Sequence, residues 1–285
     1  MIEPESRFYE SMRLRLHYGV WGDESKPPLL LVHGSRDHAR SWDFVAQRLT
    51  DRFCVYAPDL RGHGDSDWAV GAQYSIIEYV ADIAKLVDII DRGPVALVGH
   101  SLGGGVVMEY AGTMPETVSK LVSIEGMGRF RGMPHRPANL RMREYVARTR
   151  DMEAWQPRTY ATLEDAAVRM QENNRRLSPE MAMHLTVHGT RRLEDGSYTW
   201  KFDNFIRSRG PYEWNEEDAR SIWAAITAPV LLVGGAESWR FDARRDASAA
   251  VFRDMRSVTV EGAAHWVHHD QFERFVAIAR DFLLA

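Results

Sequence analysis

The sequence predicts an α/β protein: a mostly parallel sheet with helices on both faces, interrupted by an inserted, mainly helical cap. Three observations predict it. Short apolar runs rich in Val, Ile and Leu alternate with segments of helical period, the rhythm of a sheet covered on both sides. That rhythm stops after Gly128 and returns near Pro229, and residues 129–225 between them are rich in Arg, Met, Glu and Trp with no buried-strand pattern. Finally, the apolar run "VALV" breaks at Gly99-His100-Ser101-Leu102-Gly103 and resumes as a helix, a strand-to-helix turn carrying a serine.

Taken in order, residues 12–22, "MRLRLHYGVWG", alternate as a half-buried strand. "PPLLLVHG" and "FCVYAPD" read as fully buried strands, with Cys54 in the second as a small buried hydrophobe. "SIIEYVADIAKLVDIID" has helical period and leads into the buried strand "PVALVGH". "SLGGGVVMEYAGTMP" is the helix that follows, ending near Pro115, and "VSKLVSIEG" is the next strand. Within the insertion, "LRMREYVARTR", "LEDAAVRMQENNRRL" and "PEMAMHLTVHG" read as helices, and "RRLEDGSYTWKF" as a hairpin turning at Asp195-Gly196. "APVLLVGG" and "SVTVEGAAH" restore the strands, and the amphipathic "QFERFVAIARDFLL" closes the chain. The expected division is a core of residues 1–128 and 226–285 with a cap, or lid, of residues 129–225.

Composition narrows the function. The chain has 285 residues, 45% hydrophobic and 27% charged, the balance of a globular protein. A net charge of -4 gives no basic excess for nucleic acid or anionic lipid. The single cysteine excludes an intramolecular disulfide. The polar amino terminus "MIEPESRFYE" carries no signal-peptide core, and no apolar run approaches the ~20 residues of a membrane span. The expectation is a soluble cytoplasmic protein that binds neither nucleic acid nor membrane.

Chemistry concentrates at strand ends. A serine hydroxyl needs a base to take its proton and an unobstructed position, and Ser101 on a glycine-flanked turn meets the second need. His265, ending the last strand in "VEGAAHW", is the candidate base, because catalytic residues of open α/β sheets cluster at the carboxyl ends of strands. After His33-Gly34, the main-chain amide of Ser35, with that of Leu102, is expected to form an oxyanion hole. His268, His269 and Asp270 are expected to do helix-start and surface chemistry, and no metal or cofactor is expected. Asp37, His38 and Arg40 share the loop after His33-Gly34, with surface exposure as the default for charged residues.

"HGS" at 33–35, "DLRGHGDSD" at 59–67, "GHSLGG" at 99–104 and "GAAHW" at 262–266 together resemble the α/β-hydrolase superfamily, in its order and spacing. The "HGT" after "MAMHLTV" and the "FD" beyond "APVLLVGG" resemble, within it, the serine hydrolase-like proteins. The resemblance implies that Arg61 and Asp65 organise the turn after the fourth strand. It also implies a third triad member. Many relatives carry an aspartate after the strand that here reads "APVLLVGG", yet the corresponding slot holds Ser238. Glu125, at the end of "LVSIE", occupies the position some members use instead and is the expected acid; Glu237 and Asp242 are the alternatives.

The expected activity is hydrolysis of carboxylic esters or related acyl compounds through an acyl-enzyme, with a small, partly apolar acyl substrate. A lactone or carbon–carbon hydrolase on the same triad, and a catalytically idle ligand-binding protein, are the alternatives. Trp42, Met127, Phe130, Trp155 and Trp266 are the expected pocket residues; Tyr160, Trp200 and Phe205 are further candidates in the cap, with cap packing as the competing role for each.

Overall fold

A computed structural model describes residues 2–71, 74–126, 137–207, 210, 216–238 and 250–285. The chain opens with an antiparallel hairpin, β1 (Glu5–Ser11) and β2 (Leu14–Trp21). The first of these strands was not expected. The run beginning at Met12 splits because Met12 and Arg13 both take positive φ, +47° and +69°, the geometry of a two-residue hairpin turn. The edge strand escapes a periodicity reading because only Tyr9 and Ser11 along it are buried.

The buried strands follow as β3 (Pro28–Val32) and β4 (Cys54–Pro58), separated by the short helix α1 (Asp43–Gln47). Cys54 is buried as expected. α2 (Ile76–Ile90) starts at Ser75 with a capping box, in which Glu78 returns its carboxylate to the Ser75 amide at 2.8 Å. β5 (Val95–His100), α3 (Leu102–Thr113) and β6 (Val118–Ile124) complete the first part of the core.

The inserted segment contributes α4 (Ala138–Ala154), β7 (Thr159–Tyr160), α5 (Leu163–Asn173), α6 (Pro179–Gly189), β8 (Thr190–Arg192) and β9 (Tyr198–Trp200). The strands β8 and β9 form the hairpin over Asp195-Gly196, and β7 adds a third antiparallel strand to it. Gly196 supplies the turn's φ of +87°. The cap leans on the core through specific bonds: Tyr74 Oη to Asp203 at 2.6 Å, Lys201 Nζ to Asp65 at 2.7 Å, and His38 Nε2 to the Leu185 carbonyl at 2.9 Å.

α7 (Glu216–Ala224) leads back to the sheet, followed by β10 (Val230–Gly235), β11 (Met255–Val260), α8 (Val267–Asp270) and α9 (Phe272–Leu284). The sequence boundary at 225 puts α7 in the cap, but the helix packs with the core. Ala219, Trp223 and Ile226 are buried beside α3, and a side chain on Gly112 of α3 would strike the Ile222 backbone. One-sided apolar spacing in an otherwise charged segment hides that attachment from composition.

The eight-stranded sheet runs β1-β2-β4-β3-β5-β6-β10-β11, antiparallel at β1–β2 and β2–β4 and parallel elsewhere. β3 and β5 are buried along their whole length because helices cover both faces. The chain steps one way from β3 to β4 and the other way to β5, so the strand order reverses at β3. A crevice outside the carboxyl ends of the strands is expected at such a switch point. No helix among the described residues is long and apolar enough to cross a membrane.

Candidate active site

Ser101 sits at the junction of β5 and α3 with φ +52° and ψ −108°, a strained conformation for a residue with a side chain. Two neighbours must be glycine for this turn to close. A Cβ on Gly99 would lie 2.4 Å from the Gly103 carbonyl oxygen, and one on Gly103 would lie 2.3 Å from that of Val32. The Ser101 amide donates to the Ile124 carbonyl at 2.8 Å, tying the turn to the end of β6.

His265 meets it from the loop after β11: that strand stops at Val260, short of the expected end at His265, because the chain turns at Gly262 with φ +72°. Its Nε2 is 3.0 Å from Ser101 Oγ, and its Nδ1 is 3.4 Å from Glu125 Oε2. A neutral ring with its proton on Nδ1 donates to Glu125 and accepts from the serine hydroxyl. Glu125 is 1% exposed and is held by two further donors: the Gly235 amide on Oε1 at 2.9 Å and the Ser238 hydroxyl on Oε2 at 2.6 Å. Its own amide bonds to the Val233 carbonyl at 3.0 Å, and its φ of +55° turns the chain away directly after β6.

The structure thus brings Ser101, His265 and Glu125 into one hydrogen-bonded chain. Glu237 is not part of it: its side chain is 53% exposed and pairs with Arg176 of the cap. Asp242 lies outside the described residues, as do Met127 and Phe130. Ser238, uncharged in the slot where many relatives place the acid, points its hydroxyl at Glu125 instead. Sequence reasoning missed this bond, which joins side chains 113 residues apart.

The loop after β3 lies against the nucleophile. A Cβ on Gly34 would sit 2.8 Å from His100 Nδ1, so glycine at this position lets the Ser35 segment pass this close to the His100 ring beside the nucleophile. His33 pins the loop, its Nδ1–H donating to the Gly34 carbonyl at 2.7 Å while Nε2 accepts the Leu60 amide at 3.0 Å. Burial, then the neighbouring His63, push the His33 pKa down to about 3, so the ring is neutral. The Leu102 amide opens α3, where the first N–H groups have no partner within the helix.

Residues expected at the surface are enclosed. His268 is 0% exposed, stacked on Trp42 with ring centres 4.6 Å apart and packed on His100 at the same distance. Burial keeps the pKa of both His268 and His100 well below the usual histidine value. Trp42, expected on a pocket wall, is itself 0% exposed and belongs to the apolar core. His38 is buried under the cap, and desolvation raises the Asp37 pKa. Asp270 turns inward, accepting the Ala264 amide at 2.8 Å, and His100 Nε2 donates to the His265 carbonyl at 2.9 Å. These two bonds brace the turn that presents His265. His100 was visible in the sequence as the residue before the nucleophile, but no local pattern reveals its partner.

Trp155 and Trp266 are half-buried, and Trp266 meets the His265 ring edge-on at 5.2 Å. Trp200 donates to Tyr160 Oη at 3.2 Å within the cap, and Phe205 packs against the core. Of the turn after β4, Arg61 forms a buried pair with Asp82, with two bonds of 2.6 Å, and Asp65 meets Lys201. Asp59 accepts the Ala39 amide at 2.6 Å, the Asp65 amide at 2.9 Å and His17 Nδ1 at 2.7 Å.

A parallel α/β sheet carrying a serine on a strained elbow, with a carboxylate at the end of β6 and a histidine on the loop after β11, defines the architecture of this class. The chain belongs to the alpha/beta hydrolase family, whose model matches residues 29–278. An uncharacterized protein of Mycobacterium tuberculosis is 42% identical over 104 residues, 36% of this chain and 30% of that one. The chain therefore spans under a third of the first curated relatives it matches. A serine hydrolase-like protein of Mus musculus is 35% identical over 107 residues, 37% of this chain and 34% of that one. Two relatives align over most of the chain. An esterase of Mycobacterium tuberculosis is 29% identical, covering 92% of this chain and 84% of its own; epoxide hydrolase 1 of Caenorhabditis elegans is 25% identical, covering 98% and 70%. Among solved structures, a thioesterase domain from the curacin biosynthetic pathway superposes with a TM-score of 0.86 at 22% identity, over 98% of this chain and 99% of that one. That likeness concerns the fold.

Proposed function

We propose that the protein is a serine hydrolase of carboxylic esters or related acyl compounds. The observation that carries this reading is the unbroken chain Ser101 Oγ, His265 Nε2, His265 Nδ1, Glu125 Oε2, with separations of 3.0 and 3.4 Å at its two hydrogen bonds. Ser101 Oγ attacks the substrate carbonyl carbon while its proton passes to His265 Nε2. Glu125 holds the ring's tautomer and stabilises the imidazolium that results. The Ser35 and Leu102 amides take the carbonyl oxygen as it gains negative charge. Collapse expels the alcohol, which receives the proton from His265. Water then repeats the sequence on the acyl-enzyme, releasing the acid and restoring Ser101.

The epoxide hydrolase relative raises a second reading, which the nucleophile opposes. A carboxylate at the elbow opening an epoxide gives an ester that water hydrolyses. A serine there would give an ether, which water does not cleave under these conditions. An idle binding pocket is opposed by Glu125, whose three polar contacts hold it towards His265.

A fluorophosphonate probe with peptide mapping tests the proposal. Labelling at Ser101, together with turnover of p-nitrophenyl esters that disappears in Ser101→Ala, is the expected result. An unlabelled Ser101 in a folded protein would favour the binding reading, and ester turnover that survives Ser101→Ala would remove the mechanism. A chain-length series of the same esters defines the acyl preference.

A further inference from the structure

Away from the elbow, a second group of ligating side chains joins the cap to the core. His184 and His188 stand four residues apart on α6, which places both imidazoles on one helix face, with ring centres 4.7 Å apart. They face Asp43, the first residue of α1, whose side chain is completely buried. One ligand atom from each of the three lies within 4.8 Å of the others.

The three residues have unequal local duties. His184 Nε2 lies 3.2 Å from Asp43 Oδ2 and 3.1 Å from the Arg40 carbonyl, so hydrogen bonding accounts for its position. Arg40 Nε contacts both Asp43 oxygens, at 2.9 and 2.8 Å, and its Nη2 reaches Asp43 Oδ2 at 2.8 Å and Glu3 at 2.6 Å. His188 is half-buried, touches the His184 ring, and makes no hydrogen bond among the described residues. An ion-pair clamp of Asp43, Arg40 and His184 therefore explains two of the three ligands and leaves His188 without a task.

We propose that Asp43, His184 and His188 form a binding site for a divalent transition-metal ion of the zinc type, bridging cap and core. Two imidazoles and one carboxylate are the donor set that suits zinc, cobalt, nickel or copper, whereas calcium and magnesium call for oxygen ligands throughout. Bonds of about 2.0–2.2 Å set tetrahedral ligand atoms roughly 3.3–3.6 Å apart, so side-chain rotations of about an ångström close the site. Without the ion, His184 Nε2 faces two acceptors and carries the ring proton; the ion would take that proton's place, with the ring's proton on Nδ1 and the bond to the Arg40 carbonyl given up. Arg40 contacts Oδ2 as well as Oδ1, so the ion would take Oδ2 as the guanidinium gives up that oxygen and keeps Oδ1 and Glu3, a carboxylate having about four lone-pair directions. Three protein ligands leave a fourth position for water. The ion would fasten α6 to the segment that follows the Ser35 loop, and the reaction proposed for Ser101 does not require it.

The test uses the whole chain stripped of metal by a chelator and then desalted. Titration with zinc chloride against a chromophoric chelator is expected to show one tight ion per chain, with a rise in Tm that grows with free zinc. His188→Ala is the decisive variant, since it removes a ligand without removing a hydrogen bond. It should leave the metal-free Tm unchanged and weaken zinc binding by more than the roughly 10–100-fold that loss of a second-shell contact costs. Copper(II) on the unmodified chain supplies a check independent of any variant: its electron paramagnetic resonance spectrum should show hyperfine coupling to two nitrogens. His269→Ala should bind zinc as the unmodified chain does. Absence of tight zinc binding, unchanged affinity in His188→Ala, or loss of binding in His269→Ala would each overturn the proposal. The binding readouts are the same whether or not Ser101 reacts, so this inference fails or stands apart from the hydrolase reading.

Discussion

Replacing Glu125 with glutamine is the sharpest challenge to the proposed mechanism. The substitution keeps shape and removes charge. In the protein Glu125 accepts three hydrogen bonds, from Gly235 N, Ser238 Oγ and His265 Nδ1. A glutamine satisfies Gly235 through its oxygen, but its NH2 then faces the imidazole. The ring must turn its lone pair to Nδ1 and its proton to Nε2, the nitrogen that has to accept the Ser101 proton. The electrostatic loss has similar weight: unit charges at the 3.4 Å separation attract by about 5 kcal/mol at an effective dielectric of about 20. That energy corresponds to roughly 10³–10⁴ in rate. Glu125→Gln should therefore lower kcat by about that factor with KM little changed, measured on a p-nitrophenyl ester with kcat and KM determined separately. Glu237→Gln, which breaks only an exposed pair with Arg176, should stay within about twofold, as exposed ion pairs contribute little. A Glu125→Gln enzyme within tenfold of the original, or an equally damaging Glu237→Gln, would refute the assignment.

Other expectations follow from the same geometry. Gly103→Ala drives a methyl to within 2.3 Å of the Val32 carbonyl and should destabilise the fold by about 1–3 kcal/mol or more, read as a lower urea midpoint; an unchanged midpoint would mean that the elbow can spread. Arg61→Met leaves the Asp82 carboxylate, 1% exposed, without its partner and should cost about 3–5 kcal/mol in the same assay. Acid should weaken the fold in a defined window. Burial lowers the pKa of His33 to about 3, His63 to about 4 and His269 to about 3, so the unfolded chain binds protons near pH 6.5 that the native chain refuses. Stability is then full above about pH 6.5 and falls towards pH 4. Urea midpoints that hold steady or rise between pH 6.5 and 4.5 would contradict this. His100→Ala removes the donor to the His265 carbonyl and should reduce kcat more than it changes KM, while fluorophosphonate labelling of Ser101 slows in parallel; unaltered kcat and labelling would show that the His265 turn holds itself.

The amino-acid sequence by itself determined the parallel α/β architecture, because buried strands and amphipathic helices have periods set by their own covalent geometry. It also pointed to Ser101 and Glu125, since each follows directly on an apolar strand, and to His265 in the loop beyond the end of β11 at Val260. Glycines at 99, 103 and 34 were readable for the same reason: turns and close approaches are local constraints on the backbone. Tertiary structure alone decided the rest. Ser238 became a donor to Glu125, Trp42 and His268 withdrew from the surface, α7 joined the core, and β1 paired with β2 despite a largely polar sequence. Each of these depends on what lies opposite a side chain in space, and periodicity within a single segment carries no information about the neighbour. The same holds for Asp43 and His184, separated by 141 positions yet 3.2 Å apart, where burial and pairing are properties of the packed chain.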